Sequence, residues 1–316
     1  MEMKSLGTTG IEVSAVGLGC MNFGMMCDQA TTTEIVDASI DAGVNFFDTA
    51  DIYGGPHGKS ELLLGKALGS RRGDVIVATK FGAKAGGGGG AIEGGGTAEY
   101  IISSVEQSLE LLGTDYIDLY QHHFPDTGTP VEETLRALDE LVQQGKVRFI
   151  GCSNYSGEQL TAAAQISATA RISAYATAQN WYSLLRRDIE SDLVPVASQQ
   201  GVSVLPYFPL ESGLLTGKYK RGEQAPADTR FGKWGGGGIF ATDERFERVE
   251  ALAEYGDSIG HNVLELAIGW LAAQPHVASV IAGVTRPEQI RKNVAAASWG
   301  PTPEQLTTIG DIAQGN

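Results

Sequence analysis

Eight short apolar, β-rich runs recur along the chain, near 13–18, 44–47, 75–79, 116–121, 147–152, 174–178, 202–207 and 277–282. Between them lie longer stretches with helical spacing, at 32–42, 61–68, 100–112, 131–144, 157–168, 189–199 and as a pair within 243–272. Strands that alternate with helices pair in parallel, because a parallel neighbour needs a crossover long enough to hold a helix. Eight such units close most naturally into a (β/α)8 TIM barrel, an α/β fold whose chemistry sits at the C-terminal ends of the strands. Residues 1–12 precede the first unit. There Thr8, Thr9 and Gly10 predict a turn between two short strands, an N-terminal hairpin capping the barrel floor. The expected architecture is a single domain over 1–316, with long loops on the C-terminal face.

Two of those loops are rich in glycine. AGGGGGAIEGGG (85–96) follows the third strand, and WGGGGIF (234–240) lies well beyond the seventh. Such residues bury little apolar area, so the segment from Ala85 to Gly96 is expected to be mobile without ligand.

The 23 Lys and Arg against 38 Asp and Glu give a net charge of −15. That balance repels phosphate backbones and anionic lipid, so neither nucleic acid nor a membrane surface is expected as a partner. MEMKSLGTTG at the N-terminus has no apolar signal core, and no apolar run approaches the ~18 residues of a membrane span. A cytoplasmic location is expected. Cys20, Cys27 and Cys152 are odd in number and lack C-x-x-C spacing, which points to small buried thiols. The five histidines give no metal-binding spacing, and no metal is expected.

Three consecutive strands end on an ionisable residue: Asp48 after VNFF, Lys80 after VIVAT and His123 after YIDLYQH. Neighbouring strands lie about 4.8 Å apart, so side chains projecting inward from adjacent ends can meet. Asp48 is placed to hold Lys80 as an ammonium. An ammonium beside a phenol favours the tyrosinate, so Tyr53, on the loop five residues beyond Asp48, is expected to have a lowered pKa and to serve as a general acid. Alternation puts His122 and His123 on opposite faces, and Gln121, Leu119 and Ile117 on the face of His123. A dinucleotide fingerprint is missing, because GLGCMN (17–22) has Asn22 where the third glycine of G-x-G-x-x-G belongs.

FFDTADIYG, GKSELLLGKAL, VIVATKFG, YIDLYQHHFPD, GKVRFIGCSNYS, AQNWYSLLRRDIE, LPYFPLESGLLTGKY and IAGVTRPEQIRKNVAA follow in order. With these motifs the chain resembles the aldo-keto reductases, nicotinamide-dependent oxidoreductases on a TIM barrel, over nearly its whole length. The resemblance implies a catalytic tetrad of Asp48, Tyr53, Lys80 and His123, the four residues that the strand ends gather. It implies that Ser153, Asn154 and Gln179 bind the nicotinamide carboxamide and that Tyr207 stacks on the ring. Phe208, Pro209, Leu210, Ser212 and Gly213 match the stretch around the pyrophosphate, with Lys218 and Arg230 as charge partners. Gly283, Thr285, Arg286, Gln289 and Asn293 match the adenosine end, and Cys20 and Met21 match positions that touch the cofactor near the first strand. Phe208 departs from the small residue usual before that proline, and Lys292 stands where an acid is frequent.

The implied activity is reduction of an aldehyde or ketone by NADPH, with NADH as second choice and a small carbonyl compound as substrate. Arg286 and Arg291 favour the 2′-phosphate. Two alternatives stand beside it. One is a redox-sensing, cofactor-binding subunit with slow turnover. The other is a Schiff-base aldolase using Lys80, which a charged pair with Asp48 opposes because an ammonium is a poor nucleophile.

Overall fold

A computed structural model describes residues 1–55, 58–84, 89–233 and 235–315. Strands β1 (Met3–Ser5) and β2 (Glu12–Ser14) pair antiparallel, with Lys4 opposite Val13. The turn between them needs glycine at Gly7, which has φ 57° and lies so close to the Ala176 carbonyl that a Cβ would stand 2.4 Å from its oxygen.

Eight parallel strands follow: β3 (Val16–Gly19), β4 (Phe46–Asp48), β5 (Ile76–Phe81), β6 (Ile117–His122), β7 (Val147–Ser153), β8 (Thr177–Trp181), β9 (Ser203–Tyr207) and β10 (Val280–Gly283). Their order is β10-β3-β4-β5-β6-β7-β8-β9. Val204 N donates to His276 O at 2.8 Å and Ala278 N to Val204 O at 3.1 Å, so β9 also meets the approach to β10 and the barrel is nearly closed. The apolar run at 13–18 spans two elements, because the chain bends at Ala15 between the hairpin and the first barrel strand.

Around the strands lie α1 (Gln29–Asp41), α2 (Lys59–Leu68), α3 (Ala98–Leu112), α4 (Val131–Gln143), α5 (Gly157–Ala170), α6 (Leu193–Gln200), a short α7 (Arg230–Lys233), α8 (Asp243–Ile259), α9 (Val263–Ala272), α10 (Pro287–Ala297) and α11 (Pro303–Gln314). The helical spacing at 189–199 resolves into a 3-10 turn (Asp188–Glu190) and α6. Pro195 sits in the first turn of α6, where its missing N–H leaves no intrahelical bond unmade. Helix α11 was not expected from periodicity. Its start is nonetheless written in the sequence as a capping box, Thr302 with Gln305, and Pro303 at the first turn. No helix among the described residues is long and apolar enough to cross a membrane.

Inside the barrel, Phe46, Ala78, Leu119, Leu205 and Ile281 pack together, and Leu6 and Val13 from the hairpin close them off below. Lys4 ties the hairpin down by donating to the carbonyls of Ala272 and Val277. Side chains on a strand alternate, so the residues two steps further up face the same interior. Those are Asp48, Lys80, Gln121 and Tyr207, with Gln179 above Thr177 on β8. An apolar plug below thus lifts a polar layer to the rim.

The described part of the glycine-rich loop after β5 is hydrogen-bonded to that rim; residues 85–88, within the segment expected to be mobile, lie outside the described residues. Lys84 N donates to Gly90 O at 3.0 Å, Ile92 N to Gly82 O at 3.1 Å and Gly96 N to Asp126 Oδ2 at 3.1 Å, while Thr134 Oγ1 donates to Gly96 O at 2.7 Å. Hydrogen bonds here supply the order that apolar burial does not. The amides of Ile92 and Gly96 are expected to exchange slowly in hydrogen–deuterium exchange of the free protein. Exchange there as fast as in an unstructured peptide would show that these bonds do not persist.

Candidate active site

Asp48 pairs with Ala78 across β4 and β5, which sets Lys80 one inward position higher. The Lys80 side chain is 0 % exposed. Its Nζ donates to Asp48 Oδ2 at 2.6 Å and to Thr49 O at 2.8 Å, and lies 3.5 Å from the Tyr53 hydroxyl. Tyr53 meets the His123 ring edge-on, with centroids 5.8 Å apart. The three strand-end residues and Tyr53 therefore occupy one sector of the rim. The loop carrying Tyr53 is clamped by Ser60, whose amide donates to Tyr53 O at 3.0 Å and whose hydroxyl donates to Cys20 O at 2.8 Å. Gly54, at φ 81°, lets the chain turn there, since a Cβ would stand 2.5 Å from Phe23 O.

The histidines separate as alternation requires. His122 stacks on Phe81 outside the barrel, with ring centroids 5.0 Å apart, and its Nδ1 lies 2.9 Å from the Tyr155 hydroxyl. His123 turns toward Tyr53. Burial holds the His122 pKa down at about 4, and burial followed by the nearby Lys80 charge holds His123 well below its ordinary range, so both rings are neutral at physiological pH.

Burial alone would draw the Lys80 ammonium down, but Asp48 and then Tyr53 favour the charge, and its pKa lies above the usual lysine value. Tyr53 corrects the sequence expectation. Lys80 does pull its phenol down, but burial pushes harder in the other direction, and the phenol sits above its ordinary value. The ring is only half-buried, which limits that push. Behind Lys80, burial and then the Glu61 charge raise Asp51 to about 8, and burial raises Glu61 to about 7, so both acids titrate close to neutral pH.

The residues matched to a nicotinamide cofactor line the same face. Ser153 ends β7, and Asn154 follows at φ 61°. Asn154 Nδ2 donates to His123 O at 2.9 Å and Ser153 Oγ at 3.0 Å, and its Oδ1 accepts from the Tyr207 hydroxyl at 2.7 Å. Gln179 Nε2 donates to Asp48 Oδ1 at 2.8 Å. Beyond β9 the backbone is strained: Phe208, Glu211 and Ser212 have φ 51°, 48° and 56°, and Gly213 has 99°.

That turn makes a polar cradle. Ser212 Oγ is buried without a hydrogen-bond partner among the described residues, and a Cβ on Gly213 would stand 2.7 Å from Lys218 Nζ. A hydroxyl left unpaired beside an ammonium, on backbone too close for a side chain, fits a pyrophosphate. Pro209 is buried and Leu210 half-buried in the same turn. Arg230 Nη2 donates to Asn22 Oδ1 at 3.0 Å.

At the far end, Gly283 closes β10. Gln289 Oε1 accepts from the backbone N–H of Thr285 at 2.7 Å and of Arg286 at 3.2 Å, which caps α10. Arg286 is exposed and reaches Asp228 at 3.0 Å. Asn293 is buried, and Met21 is half-buried. Cys20 is buried beside the same rim. The residue is 0 % exposed and packs between strands and helices, with Asp48 and Lys80 near its thiol. All three cysteines are free and buried. No cluster able to hold a metal ion occurs among the described residues.

Several contacts around the site had no sequence signal. Trp181, Phe208 and Phe240 form a cluster with centroids 5.3–5.7 Å apart, and Phe124 stacks on His123 at 5.2 Å. Phe208, larger than the residue usual there, fills that cluster. Glu211 is fully buried and accepts from Trp181 Nε1 at 2.8 Å, from the Ser183 hydroxyl and from Arg245 Nη1 at 2.6 Å. These residues come from β8, α8 and several loops, with no spacing that links them.

The Aldo/keto reductase family model matches residues 15–314. The chain belongs to this family. It is 35% identical to a rice (Oryza sativa subsp. japonica) protein named a probable voltage-gated potassium channel subunit beta, over 99% of this chain and 97% of that one. It is also 35% identical to the uncharacterized oxidoreductase YrpG of Bacillus subtilis, over 100% of this chain and 97% of the relative. Probable aldo-keto reductase 1 of soybean (Glycine max) is 33% identical, over 98% and 90% respectively. Family membership makes this a carbonyl-reducing type of oxidoreductase with a nicotinamide cofactor.

Proposed function

We propose that the protein reduces an aldehyde or ketone to the alcohol with NADPH, using Tyr53 as the proton donor. The observation that carries this reading is the run Asp48, Lys80, Tyr53, in which a buried ammonium touches both a carboxylate and the phenol of a half-buried tyrosine. When bound, the dihydronicotinamide supplies a hydride to the carbonyl carbon. Tyr53 gives its proton to the carbonyl oxygen as charge develops there. Lys80 opposes the rise in Tyr53 pKa that burial causes, and so eases that transfer. Neutral His123 orients the carbonyl by hydrogen bonding. Ser153, Asn154 and Gln179 would hold the carboxamide, Tyr207 the ring, and Ser212, Gly213 and Lys218 the pyrophosphate.

Arg286 favours NADPH over NADH. Its present partner is an exposed acid, and such a surface pair is worth only about 0–1 kcal/mol, so it yields readily to a phosphate. A second reading has one observation in its favour. The rice relative is named as a channel subunit, which agrees with a cofactor-binding subunit that turns over slowly.

Fluorescence titration with both cofactors, followed by NADPH oxidation across aldehydes, ketones, sugars and quinones, tests the proposal. NADPH is expected to bind at least about tenfold tighter than NADH, and Arg286→Ala to remove most of that difference. Equal affinities in both proteins would refute the NADPH assignment. Tight NADPH binding with negligible oxidation by every carbonyl would favour the subunit reading.

A further inference from the structure

Gln121 belongs neither to the four proposed catalytic residues nor to the cofactor contacts, yet it is 0 % exposed directly among them. It pairs with Lys80 across β5 and β6. Its Nε2 lies 3.3 Å from Asp48 Oδ1, the same oxygen that accepts from Gln179 at 2.8 Å, while Asp48 Oδ2 holds Lys80 at 2.6 Å. The carboxylate is thus divided, one oxygen for the ammonium and one for two amides that arrive from β6 and β8.

The neighbouring strand leaves room for this arrangement. Gly151 on β7 pairs with Gln121, and a Cβ there would stand 3.1 Å from Gln121 Cγ. The amide also has a preferred orientation, because turned over it would set Oε1 against the carboxylate. Held as it is, Oε1 is buried with no hydrogen-bond partner among the described residues. Leaving such an atom unpaired costs about 1–3 kcal/mol, which an apolar residue of the same size would avoid. The half of the amide that is satisfied is the half facing Asp48.

We propose that Gln121 is a positioning residue for proton donation: it fixes the plane of the Asp48 carboxylate so that Oδ2 stays on Lys80 and Lys80 stays against Tyr53. This rests on the reading of Tyr53 as proton donor. Lys80 is faced by Asp48 from β4, by Asp51 and Tyr53 from the following loop, by Glu61 from α2, by Cys20 beyond β3 and by His123 after β6. Of these, Asp48 is the group hydrogen-bonded to Gln121.

Two variants test it. Gln121→Met keeps the length and removes the donor. It is expected to lower kcat about tenfold, the weight of one hydrogen bond to a charged group, with KM and NADPH affinity within about threefold of wild type. Gln121→Glu can donate only when protonated, so its turnover is expected to recover at low pH and fall as pH rises. The contact is also read without turnover, by titrating tyrosinate absorbance and subtracting the Tyr53→Phe curve. In Gln121→Met the Tyr53 phenol is expected to titrate at higher pH, because a less well-held ammonium lowers it less.

A kcat within twofold of wild type in Gln121→Met, or a loss of kcat with an unmoved phenol titration, overturns the proposal. If Tyr53→Phe retains wild-type turnover, it is the proton-donor assignment that fails, and an upward phenol shift in Gln121→Met still upholds the contact. Should Gln121→Met fail to fold, the pH response of Gln121→Glu decides, and a flat response counts against the proposal.

Discussion

Tyr53→Phe is expected to lower kcat by at least about 100-fold while NADPH affinity changes by less than about threefold. The substitution removes one oxygen, which is asked to donate a proton in the transition state and has no assigned contact with the nucleotide. The ring stays, so its packing beside His123 and under the Lys80 ammonium stays as well. Lys80→Met should behave similarly, because it removes the charge that offsets the effect of burial on the phenol. His122→Ala should leave turnover nearly unchanged, since that ring lies outside the barrel against Phe81. Steady-state NADPH oxidation beside cofactor titration gives the answer. A Tyr53→Phe protein that keeps more than about a tenth of wild-type kcat would exclude Tyr53 as the donor.

The same site sets an expected pH dependence. A proton donor works while protonated, and the pKa values of both Tyr53 and Lys80 are raised. The alkaline loss of reduction should therefore begin only near or above the ordinary phenol value of about 10. Neither histidine titrates near its usual ~6.5, because burial keeps both neutral. Any change in rate near pH 7 to 8 would instead report Glu61 and Asp51, which ionise there beside Lys80.

Arg245→Ala is expected to destabilise the protein by about 3 kcal/mol. Glu211 is a carboxylate with no exposed side-chain surface, held at φ 48° in the turn beyond β9, and Arg245 is the cation that reaches it. Removing that cation leaves a buried charge to Trp181 and Ser183 alone, which costs more than a surface ion pair is worth. Arg245 itself is 19% exposed, so water replaces part of what is lost and the figure stands at the low end of the range. Glu211→Gln should cost less, because it removes the charge along with its partner. Urea unfolding measures both, and an Arg245→Ala midpoint equal to wild type would show that the pair contributes nothing.

Much of this was legible along the chain, since strand alternation and the βα repeat are local properties. The eight barrel strands, the hairpin and the opposite facing of His122 and His123 follow from side-chain period and turn residues alone. Local signals also left features unread. An apolar run at 13–18 does not reveal a bend at Ala15, and glycine content at 89–96 does not reveal hydrogen bonds to Gly82 and Asp126.

By itself the sequence determined that Asp48, Lys80 and His123 stand at successive strand ends, with Tyr53 on the loop beside them. Only the tertiary structure decided which atoms meet there. Gln121 and Gln179 converge on one oxygen of Asp48 from 73 and 131 residues away, and no periodicity encodes such a meeting. The direction of the Tyr53 shift was likewise closed to the sequence. Charge pairing can be guessed from neighbouring strand ends, whereas desolvation is summed over every group packed around the phenol, and here that sum outweighs the lysine.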